Sequence, residues 1–318
     1  MTSVITRRKF IATLVAGAAS GSLAGRSAGA TGPGASPGNR MKDAPRVGLA
    51  LGAGGAKGLA HILMLEVFDE LGITPCTISG SSMGAVIGAL YASGLSGKQI
   101  RRFINGPAAS DERSWPNSLF RPDVFKWIDF IDPELGSGGL IDGENFIRYL
   151  RQKVHTADFD QLAIPLRIVA ADFWKREQVI LENGPLLPAI QASMALPGLF
   201  TPVRLGDRVL VDGGTVNPVP WDLLPDDCDI TVAIDVMGTI SPQDDDASPS
   251  FFDAIFNSAH IMQRAIVEEK LKRRRPDIYV RPTLNNVRML EFYRADEIYR
   301  QALPAKRELR RQLEKLLA

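Results

Sequence analysis

The chain is expected to fold as an α/β domain built on a mainly parallel sheet covered by helices. Short apolar stretches at residues 47–51, 77–79, 166–171, 209–211 and 230–236 alternate with segments of helical character, the order in which parallel strands and crossover helices follow one another. Two of these stretches run directly into glycine-rich turns that open helices, at residues 52–58 and 80–84. A chain of 318 residues without an internal repeat is also long enough to bury the core of one large domain.

The first thirty residues read as a message separate from that domain. Thr6-Arg7-Arg8-Lys9-Phe10-Ile11 precedes an apolar run over residues 12–24, and Ser27-Ala28-Gly29-Ala30-Thr31 offers a small-x-small cleavage site after Ala30. This order resembles a twin-arginine export signal over residues 1–30, so the mature protein is expected in the periplasm or outside the cell. The apolar run is too short for a transmembrane helix. Arg26 follows Leu23-Ala24-Gly25 where a lipoprotein signal would need its acylated cysteine. Residues 31–44, rich in Gly and Pro, read as a flexible leader. The whole chain has a formal charge of +1, and the signal holds Arg7, Arg8, Lys9 and Arg26 with no acid, which leaves the remainder near −3. Such a balance exerts no general pull on nucleic acid or anionic membranes, and no nucleic-acid partner is expected.

Along the domain, Val47-Gly48-Leu49-Ala50-Leu51 leads into Gly52-Ala53-Gly54-Gly55-Ala56-Lys57-Gly58, a strand, a glycine loop and the start of a helix. A dinucleotide fingerprint counted from Gly52 needs glycine at the sixth position, where Lys57 stands, and no Gly-Lys-Ser/Thr follows to make a phosphate loop. The N–H groups of Gly54 and Gly55 are better suited to holding an oxyanion. Lys57 reads as a solvated residue of the first helical turn. Next comes Gly80-Ser81-Ser82-Met83-Gly84, a Gly-x-Ser-x-Gly elbow in which Gly80 and Gly84 keep side chains clear of strand, helix and substrate. The helix over residues 85–92 aims its positive end at Ser82, the expected nucleophile. The third motif, Val209-Leu210-Val211-Asp212-Gly213-Gly214, ends a strand in a carboxylate left uncrowded by Gly213 and Gly214. The three histidines read more simply as packed or solvated residues: His61 a turn into the loop helix, His155 in a polar stretch, and His260 on a helix with Ile255 and Met262. Asp212 is then the expected base, and Asp172, which lacks following glycines, ranks below it.

These motifs, with Ala192-Ser193-Met194-Ala195-Leu196-Pro197-Gly198-Leu199-Phe200-Thr201-Pro202 and the continuation Thr215-Val216-Asn217-Pro218-Val219-Pro220, resemble in their order the patatin-like phospholipase family over about residues 45–240. Ala53 departs from the pattern, standing where many members carry a further glycine. The resemblance implies a three-layer αβα sandwich with a topology unlike that of ordinary α/β-hydrolases. It also implies hydrolysis of lipid acyl esters by a Ser-Asp dyad, with Ser82 as nucleophile, Asp212 as its partner, and Gly54 and Gly55 with the adjoining Lys57-Gly58 as the oxyanion loop. In physical terms Asp212 takes the Ser82 proton as Ser82 attacks the carbonyl, the loop holds the oxyanion, and water then deacylates the enzyme. An aspartate with the ordinary pKa of about 3.9 is a feeble base near neutrality, so partial burial at the strand end is expected to raise it. The same dyad would serve an acyltransferase, and a non-catalytic lipid-binding protein is the other reading. The expected partner is a lipid or phospholipid acyl ester, with transient contact to a membrane surface.

The remaining segments have plainer readings. Pro197-Gly198 is a helix stop, and Asn217-Pro218-Val219-Pro220 stiffens a loop. Trp115, Phe120, Phe125, Trp127 and Phe130, within residues 110–139, are expected to pack, with a lid as the alternative. Cys76 and Cys228 each precede a strand and are expected as buried thiols, with a disulfide as the alternative. No Cys/His cluster has metal-ligand spacing, so neither metal nor cofactor is expected. Residues 241–318 are expected to form a mostly helical extension packed on the catalytic domain, with a strand at 278–280 and a solvated arginine run, Arg273-Arg274-Arg275, at a helix end.

Overall fold

The computed structural model describes residues 45–105, 150–151, 157–241 and 251–318. In chain order its elements are β1 (Val47–Leu51), α1 (Ala60–Leu71), β2 (Thr77–Ser81), α2 (Met83–Ala92), α3 (Gly97–Asn105), β3 (Leu166–Asp172), β4 (Glu177–Leu181), α4 (Leu186–Ser193), β5 (Val203–Leu205), β6 (Arg208–Asp212), β7 (Ile230–Ile234), α5 (Phe251–Arg273), β8 (Ile278–Val280) and α6 (Ala295–Leu317), with short 3-10 turns at Gly55–Leu59 and Gly213–Thr215. The proposed signal and leader, the aromatic segment 110–139 and His155 lie outside the described residues.

The strands form one sheet in the order β5-β6-β3-β2-β1-β7-β8, with β4 also paired to β3. Pairing is parallel from β3 through β2, β1 and β7 to β8, and antiparallel where β4, β5 and β6 join. Strand β1 is buried at all five positions because both of its faces are covered, which is why it reads as a continuous apolar run. Val47, Leu49 and Leu51 face α1, α2 and α6 in the main core, together with Val232 and Ile234 of β7. Ala50 and Ala233 point the other way, against Trp221, Met237 and Val267 of α5. Helices on both faces of a mainly parallel sheet give the three-layer αβα sandwich expected above.

Strands β4 and β5 escape a search for apolar runs because they are partly exposed at most positions. Strand β2 continues through Gly80 and Ser81, small residues that let α2 lie close. The C-terminal extension is more than a layer packed on the domain: β8 hydrogen-bonds to β7 as part of the sheet, and Ile298, Tyr299, Ala302, Leu309 and Leu313 of α6 enter the main core. Lys306 of α6 donates to Glu66 at 2.7 Å and Glu70 at 2.9 Å, tying the helix to α1. Cys76 and Cys228 meet with their sulfurs 2.9 Å apart, as free thiols. Among the described residues no helix is long and apolar enough to cross a membrane.

Candidate active site

Strand β3 brings the two principal site residues together. Parallel β2 pairs Ser81 with Val169, and antiparallel β6 pairs Asp212 with the next residue, Ala170. Two strands approaching from opposite directions thus end at neighbouring positions on β3, and Ser82 Oγ donates a hydrogen bond to Asp212 Oδ2 at 2.6 Å. Ser82 has φ 54° and ψ −124°, a strained conformation for a residue with a side chain. The surrounding contacts hold it there. Ser82 N–H donates to Ser193 Oγ at 2.9 Å, and that hydroxyl donates to the Val169 carbonyl at 2.6 Å. A Cβ on Gly84 would stand 2.1 Å from the Leu51 carbonyl oxygen, so only glycine lets α2 start this close to β1.

Asp212 is 3 % exposed, and its Oδ1 accepts the Gly214 N–H at 2.7 Å. Burial pushes its pKa up to about 6, against the opposing pull of the Ser82 hydroxyl and the Gly214 N–H. A carboxylate with that value is ionised at neutral pH and still basic enough to take a proton. Asp172, the lower-ranked acid, is occupied otherwise: its Oδ1 caps the turn after β3 by accepting the N–H groups of Trp174 and Lys175.

The glycine loop packs against the turn that follows Asp212, since a Cβ on Gly214 would stand 3.0 Å from Ala53 Cβ. Its other N–H groups are spent, Gly52 on Ile234, Ala53 on Pro218 and Ala56 on Met289. Those of Gly54 and Gly55 have no acceptor among the described residues, and both glycines line the same cleft as Ser82. His61 steadies the loop from below, its Nε2–H donating to the Gly52 carbonyl at 2.8 Å, while burial lowers its pKa to about 4 and keeps it neutral.

One expectation needs correction here. Lys57 is not solvated: the 3-10 turn points it inward, it is 0 % exposed, and its Nζ has no hydrogen-bond partner among the described residues. Desolvation lowers its pKa to about 8, opposed by the charges of Asp235 and Glu291. His260, read from sequence as packed or solvated, is partly buried and lines the cleft with Gln263 of the same helix. Sequence reasoning also took the 192–202 block as a stop and turn. In the structure Ser193 braces the elbow, and Leu196, Leu199 and Phe200 wall the cleft. The spacing of His260, Gln263, Val267 and Lys270 on one helical face was the signal available for α5.

The cleft, about 580 Å³ out to its open mouth, is closed on the other side by Met289, Leu290 and Phe292. Apart from Ser82, Asp212, His260 and Gln263, its described lining consists of glycine and apolar residues, as suits an acyl chain beside a reacting ester. Among the described residues no three potential metal-binding side chains converge.

An uncharacterized NTE family protein of Mycobacterium tuberculosis is 34 % identical over 212 residues, 66 % of this chain and 54 % of the relative. The neuropathy target esterase sws of Drosophila melanogaster is 30 % identical over 181 residues, 56 % of this chain and 12 % of that protein. The chain therefore spans about half the length, or less, of these curated relatives. Among solved structures, VipD from Legionella pneumophila superposes with a TM-score of 0.48 at 15 % identity, over 83 % of this chain and 67 % of that one. The patatin-like phospholipase family model matches residues 49–225, a span that opens in β1, holds the glycine loop, Ser82 and Asp212, and exceeds half of the chain. By that match the chain belongs to the patatin-like phospholipase family, which acts on lipids.

Proposed function

We propose that the protein is a serine-dependent lipid acyl hydrolase that cleaves carboxylic esters through Ser82 and Asp212. The observation that carries this reading is the 2.6 Å hydrogen bond from the strained Ser82 to a buried carboxylate with raised basicity. Asp212 accepts the Ser82 proton as Oγ attacks the ester carbonyl. The N–H groups of Gly54 and Gly55, unpaired among the described residues, meet the charge that develops on the carbonyl oxygen. The alcohol leaves with the proton returned from Asp212, and a water activated by the same carboxylate then releases the acid from the acyl-enzyme. The apolar cleft walls receive the acyl chain. The test is reaction of the purified protein with a fluorophosphonate probe, followed by intact mass. A single adduct on the wild type that is absent from Ser82→Ala supports the reading; no adduct on a folded wild-type protein refutes it.

The same proposal includes export by the twin-arginine route, supported by the order of Arg7-Arg8, Phe10, the apolar run and the small residues before Thr31. Replacing Arg7 and Arg8 with lysine would then hold the precursor in the cytoplasm. Fractionation finding the variant exported as efficiently as the wild type would exclude the route.

A further inference from the structure

Helix α5 lies beyond the residues matched by the family model, yet it forms part of the cleft. Its inward face carries His260, Gln263, Val267 and Lys270. The last two are accounted for: Val267 packs in the core beneath the sheet, and Lys270 donates to the Val219 carbonyl at 2.7 Å and to Asn217. His260 Nε2 is buried without a hydrogen-bond partner among the described residues, and the Gln263 side chain, 6 % exposed, lines the cleft beside it. The Gln263 amide lies against the turn that carries the base, since a Cβ on Gly214 would stand 2.8 Å from its Nε2 and 2.9 Å from Asp212 Oδ1. A ring nitrogen held unpaired at the cleft, as His260 Nε2 is among the described residues, is costly unless a ligand or water completes it.

The remaining parts of an ester substrate already have places. The carbonyl oxygen faces Gly54 and Gly55, and the acyl chain has the walls made by Leu196, Leu199, Phe200 and Leu290. Building on the hydrolase reading above, we propose that His260 and Gln263 form the subsite for the alcohol portion of the ester and hydrogen-bond the uncharged oxygens of a glycerol-type leaving group. Both side chains offer a donor and an acceptor, which matches a hydroxyl that does the same. The imidazole is neutral, its pKa lowered to about 4 by burial and then by the charge of Lys57, so it suits a hydroxyl better than an anion.

The test compares kcat/KM on a 1-monoacylglycerol, a lysophosphatidylcholine and a p-nitrophenyl ester of the same acyl chain, using His260→Phe and Gln263→Met, which keep shape and remove polarity. His260→Gln, which keeps a hydrogen-bonding group, is the conservative control. Fluorophosphonate labelling of Ser82 and thermal unfolding check that each variant is folded with its nucleophile in place. The expected result is a loss on a glycerol ester about tenfold greater than the loss on the p-nitrophenyl ester, the upper end of what one net hydrogen bond is worth, and a smaller difference in His260→Gln. Whichever glycerol ester the wild type cleaves faster identifies the source of the hydroxyl, a neutral glyceride or a phospholipid. Equal losses on all three esters, or none on any, overturn the subsite and leave the hydrolase reading standing. A wild type that takes no fluorophosphonate and cleaves no ester overturns both.

Independently of catalysis, Cys76 and Cys228 stand just before β2 and β7, the two neighbours of β1, with their sulfurs 2.9 Å apart beside Gly48. A Cβ on Gly48 would lie 2.8 Å from Cys228 Sγ, so the glycine leaves the room in which the sulfurs meet. We infer that they form a disulfide when the protein meets a disulfide oxidant such as oxidised glutathione. One protein thiolate attacks the oxidant and releases one glutathione, the second displaces the other, and the protein loses two hydrogens as two glutathiones leave reduced. Intact mass after incubation with oxidised glutathione should fall by two hydrogens, with Cys76 and Cys228 recovered in one linked peptide. The oxidised form should melt at higher temperature than the reduced form, a difference lost in Cys228→Ser. Two thiols still alkylated after oxidation would overturn the assignment.

Discussion

At the scale of single residues the proposed chemistry rests on Asp212, because one carboxylate must be ionised enough to accept a proton and basic enough to want it. Burial places its pKa at about 6, so kcat/KM for ester hydrolysis should fall as pH drops through that value and be level above it. A pH profile whose acidic limb lies near pH 4 would mean that the base is solvated during turnover. Asp212→Asn, which keeps the shape and removes the basicity, should lower kcat by roughly 10²–10⁴ while Ser82→Ala removes turnover. Lys57 shows the opposite sign. Its folded pKa of about 8 lies below the ordinary lysine value, so the stability it contributes is present above the unfolded pKa and is lost as pH falls through about 8. Lys57→Met should therefore unfold at a higher temperature than the wild type at pH 7, by on the order of 1–3 kcal/mol in stability, with the gap narrowing toward pH 10. Thermal melts at the two pH values check this; a variant less stable at pH 7 would mean that water or a ligand satisfies the ammonium.

At the scale of elements, the elbow works because β2, α4 and β3 meet at one hydroxyl. Ser193 Oγ takes the Ser82 N–H and donates to Val169, so a side chain at the end of α4 holds the strained turn between β2 and α2. Ser193→Ala leaves both backbone groups buried without that partner and should cost roughly 1–3 kcal/mol of stability. Activity should fall further than in a surface variant of equal stability, because Ser82 can then relax away from φ 54°. Denaturant titration and kcat/KM measured together separate the two effects. The elbow pattern was legible in residues 80–84, and so was the glycine loop, because glycines that must admit close backbone contact leave a local mark. Ser193 left none, since its partners lie 111 and 24 residues away in the chain.

At the scale of the whole molecule, the C-terminal segment completes both sheet and site. Strand β8 extends the sheet beyond β7, α6 buries Ile298, Leu309 and Leu313 against α1, and α5 supplies His260 and Gln263 to the cleft. A chain ended after residue 240 loses all three contributions. It should fail to show a cooperative thermal transition, even though every motif residue from Gly54 to Asp212 is still present. A truncated protein that melts cooperatively and labels with fluorophosphonate would show that the first 240 residues fold unaided.

The alternation of apolar strands and helices, the strand-ending Asp212-Gly213-Gly214 and the two glycine turns are local patterns, and local patterns are what a chain displays before it folds. They were enough for the fold class and for proposing Ser82, Asp212, Gly54 and Gly55 as site residues. Tertiary structure alone decided that Ser82 and Asp212 touch, because that depends on β2 and β6 meeting at Val169 and Ala170. It decided also that Lys57 turns inward and that His260 faces the cleft. Burial is a property of what other segments cover, and α5 and Met289 lie some 200 residues along the chain from the glycine loop that they close over.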